Sequence, residues 1–311
     1  MKFDGFAYRM SPTLKQVMVA RNSVKRVPGQ CQYFPALHQF NVPTQLPDHC
    51  YGPAPTSLGN AGTDAPFAMI IGDSYGGATA DSFMQVLAGE GWRSAKITVS
   101  GCAALPGFNL MGDQLQCAKA FDRIKGIVTQ QKPDLLIVVN RYNFLFNDRP
   151  FDNGEGGSGT LGPFGTISHD RLGPNHSLQE RAAVVVSSGV KLLSELAPNI
   201  TIIYPIPEAG WYVPHLFERQ KARGVYQGAI SIASDLYWRR NQAAVTALDS
   251  ARSDNVIKLD PYRLFCDRPD FPGRCLHALG DQLFYGDTNH LTKTGADILA
   301  EALRPVLQGL H

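Results

Sequence analysis

Two short motifs at opposite ends of the chain hold the residue types of an activated serine. Gly72-Asp73-Ser74 follows the apolar run Phe67 to Ile71, and Asp287-Thr288-Asn289-His290 precedes the last helical stretch. A serine at the carboxyl end of a strand lies where an open α/β sheet presents residues to a ligand. Its hydroxyl is a weak nucleophile until a base takes the proton. The imidazole of His290 can do that, and a carboxylate three residues earlier can orient the ring and stabilise its charged form. Ser74, His290 and Asp287 are therefore read as nucleophile, general base and orienting acid of an enzyme for acyl chemistry. Asp73 is read as a structural partner for nearby backbone groups. No cofactor is expected.

The elements that must position these residues show in the hydrophobic pattern. Short apolar strands at 67–71, 95–99, 135–139, 200–204 and 256–259 alternate with amphipathic stretches at about 78–89, 116–131, 178–196, 232–251 and 292–307. Within the last, Ile298, Leu299, Ala302, Leu303 and Val306 share one predicted face. Such alternation predicts a three-layer α/β/α sandwich around a central, mostly parallel five-stranded sheet. Two segments interrupt it. Phe144 to Ser177, rich in glycine, is expected to be a surface excursion. Pro205 to Gln227 carries Trp211, Tyr212 and His215 beyond the fourth strand, where loops line the ligand-binding face. Trp211 and Tyr212 can stack on a sugar ring or anchor packing. His38, His49, His169, His176, His215, His277 and His311 are read as surface or core residues, and Asp260 as the residue ending the fifth strand.

Residues 1–62 lack periodicity and are punctuated by Pro28, Pro35, Pro43, Pro47, Pro53 and Pro55. They read as an extended leader packed on a main domain at 63–311. With 311 residues, 44% apolar content and a net charge of +2, the chain can bury a substantial core. Nothing in that charge balance points to nucleic acid, and no apolar run approaches the roughly 20 residues needed to span a bilayer. Six cysteines fall into sequence-local pairs, Cys31 with Cys50, Cys102 with Cys117 and Cys266 with Cys275. Short loops close most easily, which favours these pairs as disulfides in an oxidising compartment; buried free thiols are the alternative. No zinc-ligand spacing accompanies them. Met1 to Arg21 has no apolar core of a signal peptide, so the chain is expected to be a piece of a longer exported protein.

Gly72-Asp73-Ser74-Tyr75-Gly76 also fits the Gly-x-Ser-x-Gly elbow of α/β-hydrolases, in which Asp260 would have to serve as the acid. The serine after the first strand and the acid three residues before the histidine point elsewhere. In these features the chain resembles the SGNH (GDSL-like) hydrolases over about residues 66–308. That resemblance implies the roles given above for Ser74, Asp287 and His290. It also implies an oxyanion hole built from the backbone N–H groups of Ser74 and of Gly101, in Ser100-Gly101-Cys102. The family's next block, Gly-x-Asn-Asp, is absent: the third strand ends Val139-Asn140-Arg141-Tyr142-Asn143. Asn143, Asn140 or Arg141 is then expected to replace the missing donor.

The Arg-aromatic end of that strand, the Gly-Cys after the second strand and Asn-His-Leu-Thr before a Gly-Ala helix start are similar to one subgroup. It comprises the SGNH domains fused to membrane acyltransferases of the acyltransferase-3 family. The resemblance implies a periplasmic domain tethered to the inner membrane. It implies an acetyl group supplied by a fused or associated membrane acyltransferase domain. The acceptor would be a carbohydrate, lipopolysaccharide or another surface polysaccharide. A free-standing carbohydrate or lipid esterase and a non-catalytic polysaccharide-binding module are the alternatives.

Overall fold

A strand that is apolar at every position is stable only inside a sheet covered on both faces, and two segments of this chain are of that kind. In a computed structural model, which describes residues 11–23, 31–36, 39–56, 65–107, 116–159, 172, 175–251 and 253–310, both lie at the centre. In chain order the elements are α1 (Pro12–Ser23), β1 (Gln32–Tyr33), β2 (Pro35–Ala36), β3 (Gln39–Phe40), β4 (Phe67–Gly72), α2 (Ser74–Gly89), β5 (Arg93–Val99), α3 (Cys117–Gln131), β6 (Leu135–Val139), α4 (Asn143–Phe146), α5 (Leu178–Ser194), β7 (Asn199–Ile203), α6 (Val213–Ala222), β8 (Ala229–Ala233), α7 (Ser234–Ser250), β9 (Val256–Leu259), α8 (Tyr262–Phe265), β10 (Cys266–Arg268), β11 (Phe271–Leu279), β12 (Gln282–Leu283), α9 (Lys293–Glu301) and α10 (Arg304–Gln308). The uniformly apolar strands are β4 and β6, which pair with each other and are buried throughout.

The main sheet runs β1-β5-β4-β6-β7-β9 with every pairing parallel. It has six strands where the hydrophobic pattern predicts five. The sixth, β1, is two residues of the leader, too short to show alternation. Along β4, Met69 and Ile71 enter one core with α3 and α5, while Ala68 and Ile70 enter the other with α2 and α9. Among the described residues, no helix is long and apolar enough to cross a membrane.

Several local expectations change. The leader segment 12–23 is helical, with Val17 and Ala20 buried. The last predicted helix breaks into α9 and α10 just before Pro305, a residue that cannot donate to the preceding turn. Its most deeply buried stripe is Ala296, Leu299, Ala300, Leu303 and Leu307, with Ile298, Ala302 and Val306 beside it at the margin. The expected excursion at 144–177 begins instead inside the fold: Leu145, Phe146, Phe151 and Asn153 are buried. Residues 160–171, 173 and 174 lie outside the described residues, as do His38, His169 and His311. A small second sheet, β8, β10, β11 and β12, is antiparallel and packs on the α2/α9 side.

All three local cysteine pairs are disulfides, Cys31–Cys50, Cys102–Cys117 and Cys266–Cys275. Each bridge closes a short loop: Cys31, just before β1, is tied to Cys50, Cys102 to the start of α3 at Cys117, and β10 to β11 through Cys266 and Cys275.

On β11, His277 is fully buried, its ring edge-on to Tyr285. Burial pushes the imidazole down to about 3. Between that value and the ordinary value near 6.5 the unfolded chain binds a proton that the folded chain refuses, so stability rises with pH across this window and falls on acidification. The slope is about 1.4 kcal/mol per pH unit for one such group. Denaturant unfolding at pH 7, 6 and 5 should therefore show a progressive loss, and His277→Leu should flatten the curve between pH 6 and 5 by about one proton. An unchanged slope in the variant would assign the acid sensitivity elsewhere.

Candidate active site

Close approach of backbone to backbone shapes the serine motif. A Cβ on Gly72 would lie 1.9 Å from the Val139 carbonyl oxygen, so only glycine lets β4 end against β6 here. The next residue, Asp73, is buried and caps α2: Oδ1 accepts the Tyr75 N–H at 2.8 Å, and Oδ2 accepts the Arg141 N–H at 2.7 Å. Burial raises its carboxyl above the ordinary range, against those two hydrogen bonds. Asp73 thus joins the first turn of α2 to the end of β6. Ser74 is the first residue of α2, and its N–H is among the helix's opening donors without an intrahelical acceptor.

His290 arrives from a tight turn before α9. The two oxygens of Asp287 divide their work: Oδ1 accepts the backbone N–H groups of Asn289 and His290, both at 2.8 Å, and Oδ2 lies 2.7 Å from His290 Nδ1. His290 Nε2 is 2.9 Å from Ser74 Oγ. Burial alone would raise the Asp287 carboxyl; the ring of His290 and the two backbone donors outweigh it and hold it below the ordinary range. Tyr75 packs edge-on against the imidazole, with centroids 5.4 Å apart. Thr292 then caps α9 through the Gly295 N–H while its hydroxyl donates to the Leu283 carbonyl.

Behind this line sits a buried charge cluster for which the sequence offers no motif. Glu208, in the loop after β7, is almost fully enclosed and receives Arg141 Nε at 2.8 Å, Arg141 Nη2, and Arg240 Nε at 3.0 Å. Burial would raise its carboxyl, but the two guanidiniums win and lower it. The same loop is held at Pro205 and Pro207 by the hydroxyls of Tyr237 and Tyr285, and at Ala209 by Asn153 Nδ2. The N–H groups of Ala209 and Gly210 both donate to the Thr288 carbonyl, within the histidine turn. Glu208, Arg240, Asn153 and Tyr285 are thus supporting residues that no sequence signal marks.

The candidates for the third block are engaged as follows. Asn140 is buried, and its Oδ1 accepts the Ala104 N–H at 2.9 Å, bracing the loop that follows Gly101. Arg141 is committed to Glu208 and lies over the rings of Tyr75 and Phe144. Asn143 is buried at the start of α4. Gly101 adopts a φ of +79° in the turn after β5, a conformation that favours glycine. Asp260 accepts the Tyr262 N–H at the end of β9, three strands from β4 in the sheet order, while His290 pairs with Asp287. Trp211 packs on Gly156 and Gly157, Tyr212 is exposed beside Arg21, and His49, His176 and His215 are at the surface. Cys31, His49 and Cys50 lie within ligand distance of one another, but both sulfurs are used in a disulfide, leaving no thiolate for a metal.

Comparison with known proteins adds a relationship to this geometry. A structure described as the lipopolysaccharide acetyltransferase periplasmic domain of Salmonella ser. Paratyphi A superposes with a TM-score of 0.58 at 15% identity, covering 98% of this chain and 100% of that one. More distant is an acetylxylan esterase mutant from Geobacillus stearothermophilus, with a TM-score of 0.43 at 14% identity over 78% of this chain and 94% of that one. No curated protein matches in sequence. The family model described as "SGNH domain (fused to AT3 domains)" matches residues 31–305. Most of the chain lies within that match, and the chain belongs to this SGNH family.

Proposed function

We propose that this chain transfers an acyl group, acetyl in the first instance, through Ser74 to a hydroxyl of a cell-surface carbohydrate, as the extracytoplasmic domain of a polysaccharide O-acetyltransferase. The observation that carries the reading is the unbroken line Ser74 Oγ, His290 Nε2, His290 Nδ1, Asp287 Oδ2, with steps of 2.9 and 2.7 Å. Its setting is a family of SGNH domains fused to AT3 domains. The three disulfides agree with an oxidising compartment, and the Salmonella domain of like fold carries the description of a lipopolysaccharide acetyltransferase. The membrane acyltransferase partner would supply the acyl group. That delivery, rather than any feature of Ser74, separates transfer from the hydrolysis a free esterase performs.

In the reaction, His290 Nε2 takes the Ser74 proton as Oγ attacks the acyl carbonyl carbon. The Nδ1–H donates to Asp287, which stabilises the imidazolium. Negative charge on the carbonyl oxygen is met by the N–H groups of Ser74 and Gly101, each such donor contributing on the order of 3 kcal/mol. The carbonyl re-forms, the leaving group departs with the proton from His290, and an acyl-serine remains. A sugar hydroxyl, deprotonated by the same Nε2, then attacks the acyl carbon, and Ser74 Oγ leaves with that proton returned.

Ser74→Ala and His290→Ala are expected to abolish p-nitrophenyl acetate turnover in a folded protein, since knockouts of this kind cost up to about 10⁶-fold. Asp287→Asn should cost less, yet still orders of magnitude. In cells carrying the full-length protein, Ser74→Ala should yield surface polysaccharide without O-acetyl groups by NMR; unchanged acetylation would return the protein to the esterase or binding-module reading. Glu208→Gln tests the support beneath the site. It leaves two guanidiniums facing a neutral amide and should lower stability by about 3–5 kcal/mol, read as a drop in denaturation midpoint, together with a reduced kcat.

A further inference from the structure

The leader strand β1 reaches the proposed oxyanion hole through one side chain. Its pairing with β5 sets Gln32 opposite Thr98 and Tyr33 opposite Val99, just before the Ser100-Gly101 turn. Two backbone bonds lock that register: the Thr98 N–H donates to the Cys31 carbonyl at 2.9 Å, and the Ser100 N–H donates to the Tyr33 carbonyl at 2.8 Å. The Gln116 N–H, before α3, holds the following segment at the Pro35 carbonyl at 2.8 Å. Cys31 is itself fixed by its bridge to Cys50. From this anchored strand Gln32 Nε2 donates to Ser100 Oγ at 2.7 Å, and Ser100 is fully buried.

The other side of the same carboxamide rests on α2. A Cβ at Gly77 would come within 2.5 Å of Gln32 Cδ, 2.6 Å of Nε2 and 2.8 Å of Oε1, and these are its three nearest atoms. Gly77 is the fourth residue of α2, in the turn that Ser74 opens. One planar amide is therefore wedged between the helix that begins at Ser74 and the turn that contains Gly101. These two places carry the N–H donors of the mechanism above.

We propose that Gln32 is a positioning residue for acyl transfer, setting the spacing between the Ser74 and Gly101 N–H groups by bridging Ser100 to Gly77; this rests on the catalytic reading of Ser74. The leader is then part of the catalytic structure and does more than connect it to a neighbouring module. Because developing oxyanion charge is greatest in the transition state, an error in donor spacing lowers kcat more than it raises KM.

Gly77→Ala provides a test that leaves Gln32 in the sequence. The new methyl must displace the end of a flexible side chain, breaking its bond to Ser100, while alanine is the better helix former. Steady-state hydrolysis of p-nitrophenyl acetate by the whole chain is measured for Gln32→Ala, Gly77→Ala, the double variant and Ser74→Ala. Misplacing a reacting geometry by about 1 Å costs on the order of 10²-fold, so each single variant is expected to lose about 10-fold or more in kcat, with KM within about 2-fold. Gly77→Ala should unfold at or above the wild-type temperature. The double variant should be no slower than Gln32→Ala, since the methyl then meets no carboxamide. If both single variants keep wild-type kcat while Ser74→Ala is inactive, the positioning role is overturned and the catalytic reading stands. Multiplying losses in the double variant would also overturn it. If Ser74→Ala retains turnover, both readings fall. Should Gln32→Ala not fold, the kcat and melting temperature of Gly77→Ala decide alone.

Discussion

A carboxylate taken out of water must be matched by positive charge in contact with it, and Glu208 imposes that requirement on the whole carboxyl end of the sheet. Its two oxygens draw in Arg141 from the end of β6 and Arg240 from α7, while its own loop follows β7. Three elements far apart in sequence are thereby fixed to one point. From there the constraint passes outward in two directions. The Arg141 backbone N–H holds Asp73, hence the first turn of α2, and the amides of Ala209 and Gly210 hold Thr288, hence the turn that carries His290. Serine and histidine are thus referred to the same buried anion, although neither touches it.

Charge is used differently at the two aspartates of the site. Asp73 sits where burial disfavours ionisation, and its oxygens are occupied by backbone donors alone among the hydrogen bonds described. Asp287 is more open to solvent and faces the imidazole, and its carboxyl is held low. The first is suited to structure, the second to stabilising an imidazolium. Their separation along the chain, next to the serine and next to the histidine respectively, does not reveal this division; the environment does.

The parts of the fold that were legible in sequence are those whose signal is local and repeated. Of the five longer strands of the main sheet, β4 and β6 are unbroken apolar runs. The others, β5, β7 and β9, are apolar at most of the positions read as strand, with amphipathic helical stretches between them. The cysteine pairs were legible because neighbours along the chain are neighbours in space. Ser74, Asp287 and His290 stood out because residue type and order are informative together. Gln32 and Glu208 were not, and for physical reasons. A two-residue strand has no period, and a glutamate after Pro205-Ile206-Pro207 looks like any exposed loop acid until its arginine partners, 67 and 32 residues away, are brought to it. The second sheet escaped notice because β8 overlaps the first residues of the helical stretch read from 232, and β10, β11 and β12 lie between the fifth strand and the last helix, where the hydrophobic pattern predicts no element.

The disulfides close loops with sequence separations of 19, 15 and 9, each joining one cysteine to the next in order along the chain. Such consecutive pairing is the one arrangement that a polypeptide oxidised vectorially, from its amino end as it emerges, reaches without error. Among these six, when each second cysteine appears, its partner is the sole thiol still waiting. Oxidation in order of synthesis would therefore reach this connectivity among the six without isomerisation of wrong bridges, and would tie Cys31, next to Gln32, to Cys50 before the β5 segment is made.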